Sequence, residues 1–390
     1  MKFEELKQVF ISKFGEEGEI RQFFAPGRVN LIGEHTDYNG GHVFPCALDV
    51  GTTAVARKRN DKKLRFYSVN FDEIGIIESD LEQLVYTEAD DWANYPKGVA
   101  DVFQKSGLEL QYGVDVVYYG NIPNGAGLSS SASIELVTAV MLKELLQLDV
   151  DMIEMVKLSQ KAENEFIGVN CGIMDQFAIG MGKENHAILL DCQTLDYQYS
   201  PLQMDDHILV IANTNKRRGL ADSKYNERRS QCERALSQLQ AKLEIQSLGE
   251  LSEAEFEENK HLITDETDRK RAKHAVTENQ RTIAAVEKLG AGDLEAFGQL
   301  MNASHVSLRD DYEVTGKELD ALVEAAWDEG AVGARMTGAG FGGCTINLIK
   351  KENLHDFIEN VGKKYELATD LKADFYVVQI GDGAREIIEG

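Results

Sequence analysis

Proline is scarce in this chain, with five in 390 residues, and cysteine is no commoner. Cys46, Cys171, Cys192, Cys232 and Cys344 are odd in number, scattered and without a C-x-x-C pair. That excludes a disulfide framework and a zinc site, and the five read as reduced thiols of a cytoplasmic protein. No run of about 18 apolar residues occurs, so no membrane span is expected. The opening segment MKFEELKQVF sets Glu4 and Glu5 among apolar residues and reads as a short amphipathic helix rather than a signal peptide. Positive charge is also short, 41 Lys and Arg against 66 Asp and Glu, for a net charge of −25. Such a surface repels nucleic acid and anionic membranes, so neither is expected as a partner. Any anionic ligand must then be met by a local basic patch. There is no Ser/Gly-rich linker, internal repeat or low-complexity tract.

What is present is the balance of a globular protein, 43% apolar and 27% charged. The length suggests two domains. Strand signals dominate the first half: Val43 to Arg59 with Gly51 in the middle, Leu64 to Phe71, and Val114 to Tyr119. Ile134, Val137, Met141 and Leu145 then recur at the spacing of one helical face. Met155, Leu158, Ala162 and Phe166 repeat the pattern, with Lys157, Lys161 and Glu165 outside it. Strands follow near 187–191 and 208–212. The stretch from Ser223 to about His305 is helical and charged, and strand-like segments at 344–349 and 375–380 close the chain. The reading is an α+β protein of two domains, 1–205 and 206–390.

Three stretches carry chemistry. Pro123-Asn-Gly-Ala-Gly-Leu-Ser-Ser-Ser-Ala-Ser133 lies between a strand and a helix. Glycines let a backbone pass close to a ligand, serines can cap the helix, and free N–H groups at a helix start bind phosphate. A helix cap behind a glycine turn accounts for the residues equally well. It is not a Walker A loop, because no Gly-Lys-Ser/Thr follows the glycines. In Gly333-Ala-Arg-Met-Thr-Gly-Ala-Gly-Phe-Gly-Gly-Cys344, Gly338, Gly340 and Gly343 satisfy G-x-G-x-x-G. A strand follows where a dinucleotide site needs a helix, so this reads as a glycine hairpin packed on another loop or a ligand. Gly27-Arg-Val-Asn-Leu-Ile-Gly-Glu-His-Thr-Asp-Tyr38 reads as a loop bearing Arg28, Glu34, His35 and Asp37. It is either a solvated charge cluster or a set of acceptors for a polyol.

Together the three resemble the family of galactose, homoserine, mevalonate and phosphomevalonate kinases. Residues 123–132 are similar to its Pro-x-x-x-Gly-Leu-Ser-Ser-Ser-Ala loop, and 338–343 to its late glycine loop. Residues 27–38 are similar to the narrower galactokinase signature G-R-x-N-x-I-G-E-H-x-D-Y. Cys171-Gly-Ile-Met-Asp-Gln176 and Ser304-His-Val-Ser-Leu-Arg-Asp-Asp-Tyr312 resemble galactokinase segments as well.

The resemblance implies an N-terminal domain of mixed sheet with helices and a C-terminal α+β domain, with ATP and sugar meeting in the cleft between them. It implies transfer of the γ-phosphate of ATP to the anomeric hydroxyl of galactose, with Mg²⁺ accompanying ATP, by a monomer. By position, Glu34, His35, Thr36 and Asp37 would hold the sugar, with Gly172 and Tyr225 completing the pocket. Asp175 would face the anomeric hydroxyl beside Arg28. Asn124, Gly125, Ala126, Gly127, Leu128, Ser129, Ser130 and Ser131 would wrap the ATP phosphates, and Ser68 would lie near the nucleotide. Ser131 and Glu163 would hold Mg²⁺, as hard oxygen ligands suit. An N-acetylgalactosamine kinase shares much of the sugar signature, and a non-catalytic galactose sensor is a further alternative, although such a protein could let its phosphate loop or its Asp decay and both are intact here.

Physics bears on two of these roles. Glu163 falls one position past a buried stripe and so can point into a cleft. Asp175 follows Gly-Ile-Met, and pairing with Arg28 would keep it charged while weakening it as a base. The loose transition state of phosphoryl transfer needs little base strength. Lys216, Arg217, Arg218, Arg228 and Arg229 flank Tyr225. One or two would draw in the nucleotide, and the rest would lie on a solvated face.

Overall fold

The computed structural model describes residues 1–123, 126–204, 206–216 and 221–388. In chain order its strands are β1 (Arg21–Asn30), β2 (His42–Val43), β3 (Pro45–Lys58), β4 (Lys63–Ser68), β5 (Ile77–Asp80), β6 (Val114–Gly120), β7 (His186–Asp191), β8 (Tyr197–Pro201), β9 (His207–Asn213), β10 (Gly333–Thr337), β11 (Cys344–Lys350), β12 (Asp374–Val377) and β13 (Arg385–Ile387). Its helices are α1 (Phe3–Phe14), α2 (Asn94–Lys105), α3 (Ser130–Leu146), α4 (Met152–Ala162), α5 (Met174–Met181), α6 (Ala221–Leu239), α7 (Glu253–Asn259), α8 (Glu266–Gly290), α9 (Leu294–Ser307), α10 (Gly316–Asp328) and α11 (Leu354–Thr369).

The first sheet has the order β13-β1-β3-β6-β4-β5 and is mixed, with β4 parallel to β6 and its other pairs antiparallel. Period-two alternation fills both faces. Ala54, Ala56, Val116 and Phe66 meet α2 to α5 on one face. Val55, Val117 and Tyr67 meet Leu6 and Phe10 of α1 on the other. A second sheet, β10-β11-β9-β12, is antiparallel and carries α10 and α11 on one face. Its opposite face, with Leu209, Ile211, Ile346 and Leu348, shares one core with Leu31, Ile32, Phe44 and Cys46 from the first half. The two halves are therefore joined by a shared buried apolar seam, and the segment after β1 runs along it.

The mixed sheet with helices and the later α+β arrangement agree with expectation, but several local readings change. Gly27–Asn30 is strand, not loop, because Pro26 and Gly27 sit at a register shift of β1 against β3. Arg28, Glu34 and His35 are buried rather than solvated. Helix α3 is buried well beyond the one face that its spacing marks, since Glu135 through Leu142 are all buried. A helix apolar on most sides belongs inside a protein. The strand expected to reach Phe71 ends at Ser68, where Val69–Ile74 forms tight turns. The strand expected over 375–380 ends at Val377. All five cysteines are free, and among the described residues no helix is long and apolar enough to cross a membrane.

Candidate active site

Strand β1 carries Arg28 to the start of α3. A Cβ on Gly27 would stand 2.8 Å from the Leu128 carbonyl oxygen, so only glycine lets the strand pass this close to the loop before α3. Arg28 then locks the approach. Its backbone N–H donates to Leu128 O at 3.2 Å, and Nη1 donates to Gly127 O at 2.9 Å. The rest of the guanidinium forks onto Asp175 in the first turn of α5, Nε to Oδ1 at 2.8 Å and Nη2 to Oδ2 at 2.9 Å. The Ser129 hydroxyl also donates to Asp175 Oδ2, at 2.5 Å.

That last bond revises the capping role expected of these serines. Ser129, in the left-handed region, is the residue before α3, and no side chain caps the helix. The first-turn N–H groups of α3 thus stay available, with the helix dipole behind them, for an anion. Asn124 and Gly125 lie outside the described residues.

A cavity of about 390 Å³ opens on one side of this junction. Arg28, Asp175, Glu34, His35, Asp37, Gly172, Tyr225 and Glu163 line it, together with Gly338 and Ala339 of the late glycine hairpin. Residues far apart in the chain are brought to one place, mostly as the motifs suggested. Gly172 is required there, because any Cβ would collide with Oδ2 of Asp37. Burial and the charge of Asp175 push the Asp37 carboxyl up to about 6. Glu34 Oε1 accepts from the Gly338 N–H at 2.7 Å and from Thr337 Oγ1 at 3.1 Å.

His35 departs from a simple ligand. Burial lowers its pKa to about 3, so the ring is neutral. Nε2 lies 3.2 Å from the Ala339 carbonyl oxygen, which only accepts, so Nε2 carries the proton. Nδ1 then accepts from Tyr38 Oη at 2.7 Å, and Tyr38 in turn accepts from Tyr312 Oη at 2.7 Å. Both ring nitrogens are engaged within the protein, leaving the ring itself to face the cavity. Thr36 is not brought to the cavity. It is fully buried, and its hydroxyl lies 2.8 Å from Gly33 O and 2.7 Å from His42 O.

Glu163 follows α4 in a wide turn, Glu163–Ile167, and is buried at the cavity wall. Burial, and then the charge of Asp175, push its carboxyl up to about 7, with Ser131 and Gln176 as hydrogen-bonding neighbours. A hydroxyl and a carboxylate at one spot, with surplus negative charge around them, fit a hard divalent cation. Such an ion would offset the burial and the neighbouring charge that together raise Glu163.

A second cavity, about 290 Å³, lies on the other side of the α3 start. Ser68, Ser130 and Ser131 line it with Phe71, Trp92, Tyr95 and Tyr118. Phe71 and Trp92 are near parallel, with centroids 6.5 Å apart. Apolar faces edged by hydroxyls suit a heteroaromatic ring with a polar tail. Ser68 was expected from the sequence, whereas the aromatic residues were not. They come from two turns, a helix and a strand, and no spacing links them. Gly338 and Ala339 were also missed as cavity residues, although the hairpin had been singled out for packing on a loop or ligand.

The basic residues near Tyr225 have other partners. Lys216 Nζ pairs with Glu318 at 2.6 Å. Arg228 is buried, not on a solvated face, and donates to Tyr312 O and Glu313 O. Arg229 holds Asn170. Arg217 and Arg218 lie outside the described residues.

A two-half α+β fold with paired cavities flanking a glycine–serine loop at a helix start defines a small-molecule kinase of the GHMP class. Residues 94–183 match the GHMP kinases N terminal domain and 284–367 the GHMP kinases C terminal domain. A mevalonate kinase from Methanococcus jannaschii superposes with a TM-score of 0.67 at 18% identity, covering 94% of this chain and 99% of that one, which is a likeness of fold alone. Within the class, residues 8–58 match the galactokinase galactose-binding signature. The galactokinase of Fusobacterium nucleatum is 61% identical, over 98% of this chain and 99% of its own. That of Bacillus subtilis is 59% identical, over 98% and 99%. The crystal structure of Lactococcus lactis galactokinase complexed with galactose superposes with a TM-score of 0.97 at 51% identity, covering 98% of this chain and 99% of that one. The chain belongs to the galactokinase family and is an ATP-dependent sugar kinase.

Proposed function

We propose that galactose occupies the larger cavity and the ATP base the aromatic one, so that the two substrates meet across the start of α3 at Arg28 and Asp175. The reaction is transfer of the γ-phosphoryl group of ATP to the anomeric hydroxyl of galactose, giving galactose 1-phosphate and ADP. The observation that carries this division of labour is the Arg28–Asp175 fork, 2.8 and 2.9 Å, with Ser129 of the loop on the same carboxylate.

Glu34 and Asp37 accept hydrogen bonds from sugar hydroxyls, His35 and Tyr225 wall the ring, and Gly172 gives Asp37 its room. Asp175 faces the anomeric hydroxyl. The hydroxyl oxygen forms a bond to the γ-phosphorus, the bond from that phosphorus to the bridging oxygen breaks, and ADP leaves with the electron pair. The released proton passes to Asp175. Three hydrogen bonds already engage that carboxylate, which fits it for orienting the hydroxyl and taking the proton late, as a loose transition state allows. Arg28 stabilises charge gathering on the phosphoryl oxygens. Loop residues 124–131 and the free N–H groups of α3 hold the phosphates, and Ser68 lies by the nucleotide. Ser131 and Glu163 would hold Mg²⁺, which when bound neutralises phosphate charge.

The same reading takes 1–205 and 206–390 as two domains, although β13 returns to pair with β1. It also takes the protein as a cytoplasmic monomer. The test is ADP release from purified protein with Mg-ATP and a sugar panel. Galactose is expected to be turned over and N-acetylgalactosamine poorly. Faster turnover of the N-acetyl sugar would replace this reading, and sugar binding without any ADP release would make the protein a sensor.

A further inference from the structure

Glu34 is among the most deeply buried carboxylates in the molecule, 1% exposed, and the reading above asks it to accept from a sugar. A buried carboxylate needs a partner, and its usefulness as an acceptor depends on which oxygen that partner leaves free. The Gly338 N–H, the Thr337 hydroxyl and the Arg335 guanidinium all converge on Oε1, and none of these contacts falls on Oε2. All three donors belong to β10 and the hairpin that follows it, some 300 residues further along the chain.

Arg335 is the charged member of this set and is wholly buried. Its fork is anchored at two points, Nη1 donating to Asn30 O at 2.8 Å and Nε to Ser304 Oγ at 3.2 Å. The Ser304 hydroxyl donates in turn to Glu278 Oε1 at 2.5 Å, and that oxygen also accepts from the Gly33 N–H at 3.1 Å. Arg335 is thereby tied to Asn30 directly and to Gly33 through Ser304 and Glu278, both just ahead of Glu34 in the chain. The remaining arm, Nη2, lies 3.4 Å from Glu34 Oε1 and has no hydrogen-bond partner among the described residues. A buried N–H left unpaired is unfavourable, and Glu34 is the acceptor within reach.

We propose that Arg335, with Thr337 and the Gly338 N–H, is a positioning residue for the sugar site: it holds Oε1 of Glu34 so that Oε2 is presented to galactose. This rests on the assignment of Glu34 to the sugar. The C-terminal half, through β10 and its hairpin, thus sets the affinity of a pocket whose ligand-facing side chains lie mostly in the N-terminal half. A lysine cannot substitute, because one ammonium cannot reach Asn30, Ser304 and Glu34 together as a planar fork does.

The test is steady-state kinetics and thermal melting on Arg335→Lys, Thr337→Val, Glu34→Gln and the Glu34→Gln/Arg335→Lys pair. Arg335→Lys is expected to raise KM for galactose on the order of tenfold, with KM for Mg-ATP and kcat within about twofold. The rise in Tm produced by saturating galactose should shrink to match. Thr337→Val should show the same selectivity at a few-fold. In the Glu34→Gln background the effect of Arg335→Lys on galactose should largely vanish, because the carboxylate it positions is gone. Arg335→Lys that lowers Tm but leaves galactose KM unchanged, or raises both KM values alike, would reduce Arg335 to a structural tie between β10 and β1. If Arg335→Lys does not fold, Thr337→Val decides by the same criterion. If Glu34→Gln leaves galactose affinity intact, it is the assignment of Glu34 that falls, and the positioning with it. If Glu34→Gln weakens galactose and neither of the other single variants does, the positioning alone falls.

Discussion

The two cavities that flank α3 are built by opposite means. The larger gathers four carboxylates, Glu34, Asp37, Glu163 and Asp175, around one arginine, and draws its residues from both halves of the chain. Several of its side chains are fixed by other protein groups: Glu34 through Oε1 by the glycine hairpin, His35 by Tyr38 and Ala339, Asp175 by Arg28 and Ser129. The smaller is lined by residues between Thr52 and Ile134 alone, mostly aromatic rings and hydroxyls. A polyol is distinguished by the positions of its hydroxyl groups, and a site that reads them needs acceptors fixed in place. A base held by stacking needs a slot of the right thickness and tolerates small changes of side chain. Changes on the sugar side should therefore be severe and specific, and changes on the nucleotide side mild.

The largest expected effect lies where the cavities meet. Asp175→Asn keeps size while removing the charge and the proton acceptor, and kcat should fall on the order of 10²–10⁴ with both ligands still bound. With Arg28→Ala added, the loss should be smaller than the product of the two single losses, since both groups act on one transition state. Near-normal turnover in a folded Asp175→Asn would end the catalytic role.

Next is Asp37→Ala, which removes a charged acceptor worth roughly 1.5–3 kcal/mol. KM for galactose should rise by about one to two orders of magnitude while KM for ATP stays put. Equal rises in both would break the contrast between the cavities.

Acidification should act more gently and again on one side. The Asp37 carboxyl stands at about 6, so galactose affinity should weaken by about tenfold as pH falls to roughly 5 and protonation removes the charge. Glu163, at about 7, should raise the Mg²⁺ requirement as pH falls below that value. Stability should respond in the opposite sense. Both carboxyls bind protons more tightly folded than unfolded, so their contribution favours the folded chain as pH falls through about 7 towards 4. A galactose KM that is flat with pH in the wild type would contradict the first point, and Asp37→Asn should be flat.

The smallest effect belongs to the aromatic slot. Phe71→Leu should raise KM for ATP by only a few-fold, from lost stacking area, and leave galactose unaffected.

The local character of each candidate segment was easier to read in the sequence than the way the segments meet. Pro123–Ser133 carries its own glycines and serines, and the segment from Gly27 its own glycines and charges, so the character of each is readable in place. Arg28 and Asp175 stand 147 residues apart, and resemblance rather than spacing paired them. Strand β1 was hidden because Pro26 and Gly27, ordinarily breakers, mark a register shift inside it. Helix α3 misled because periodicity identifies one apolar face, whereas burial on all sides erases the contrast between faces. The aromatic slot and the role of Arg335 were illegible for a common reason. Each is assembled by tertiary packing from residues that are individually ordinary, a tyrosine or tryptophan in a core and an arginine in a strand.

Whether α3 divides a sugar site from a nucleotide site is tested most directly by crossed equilibrium binding. Galactose and Mg-ADP affinities would be measured by calorimetry on the wild type, Asp37→Ala and Phe71→Leu. Asp37→Ala should weaken galactose alone, by at least about tenfold, and Phe71→Leu should weaken Mg-ADP alone, by a few-fold. If Phe71→Leu weakened galactose as much as Mg-ADP, or Asp37→Ala left galactose binding intact, the two cavities would not hold the ligands assigned to them.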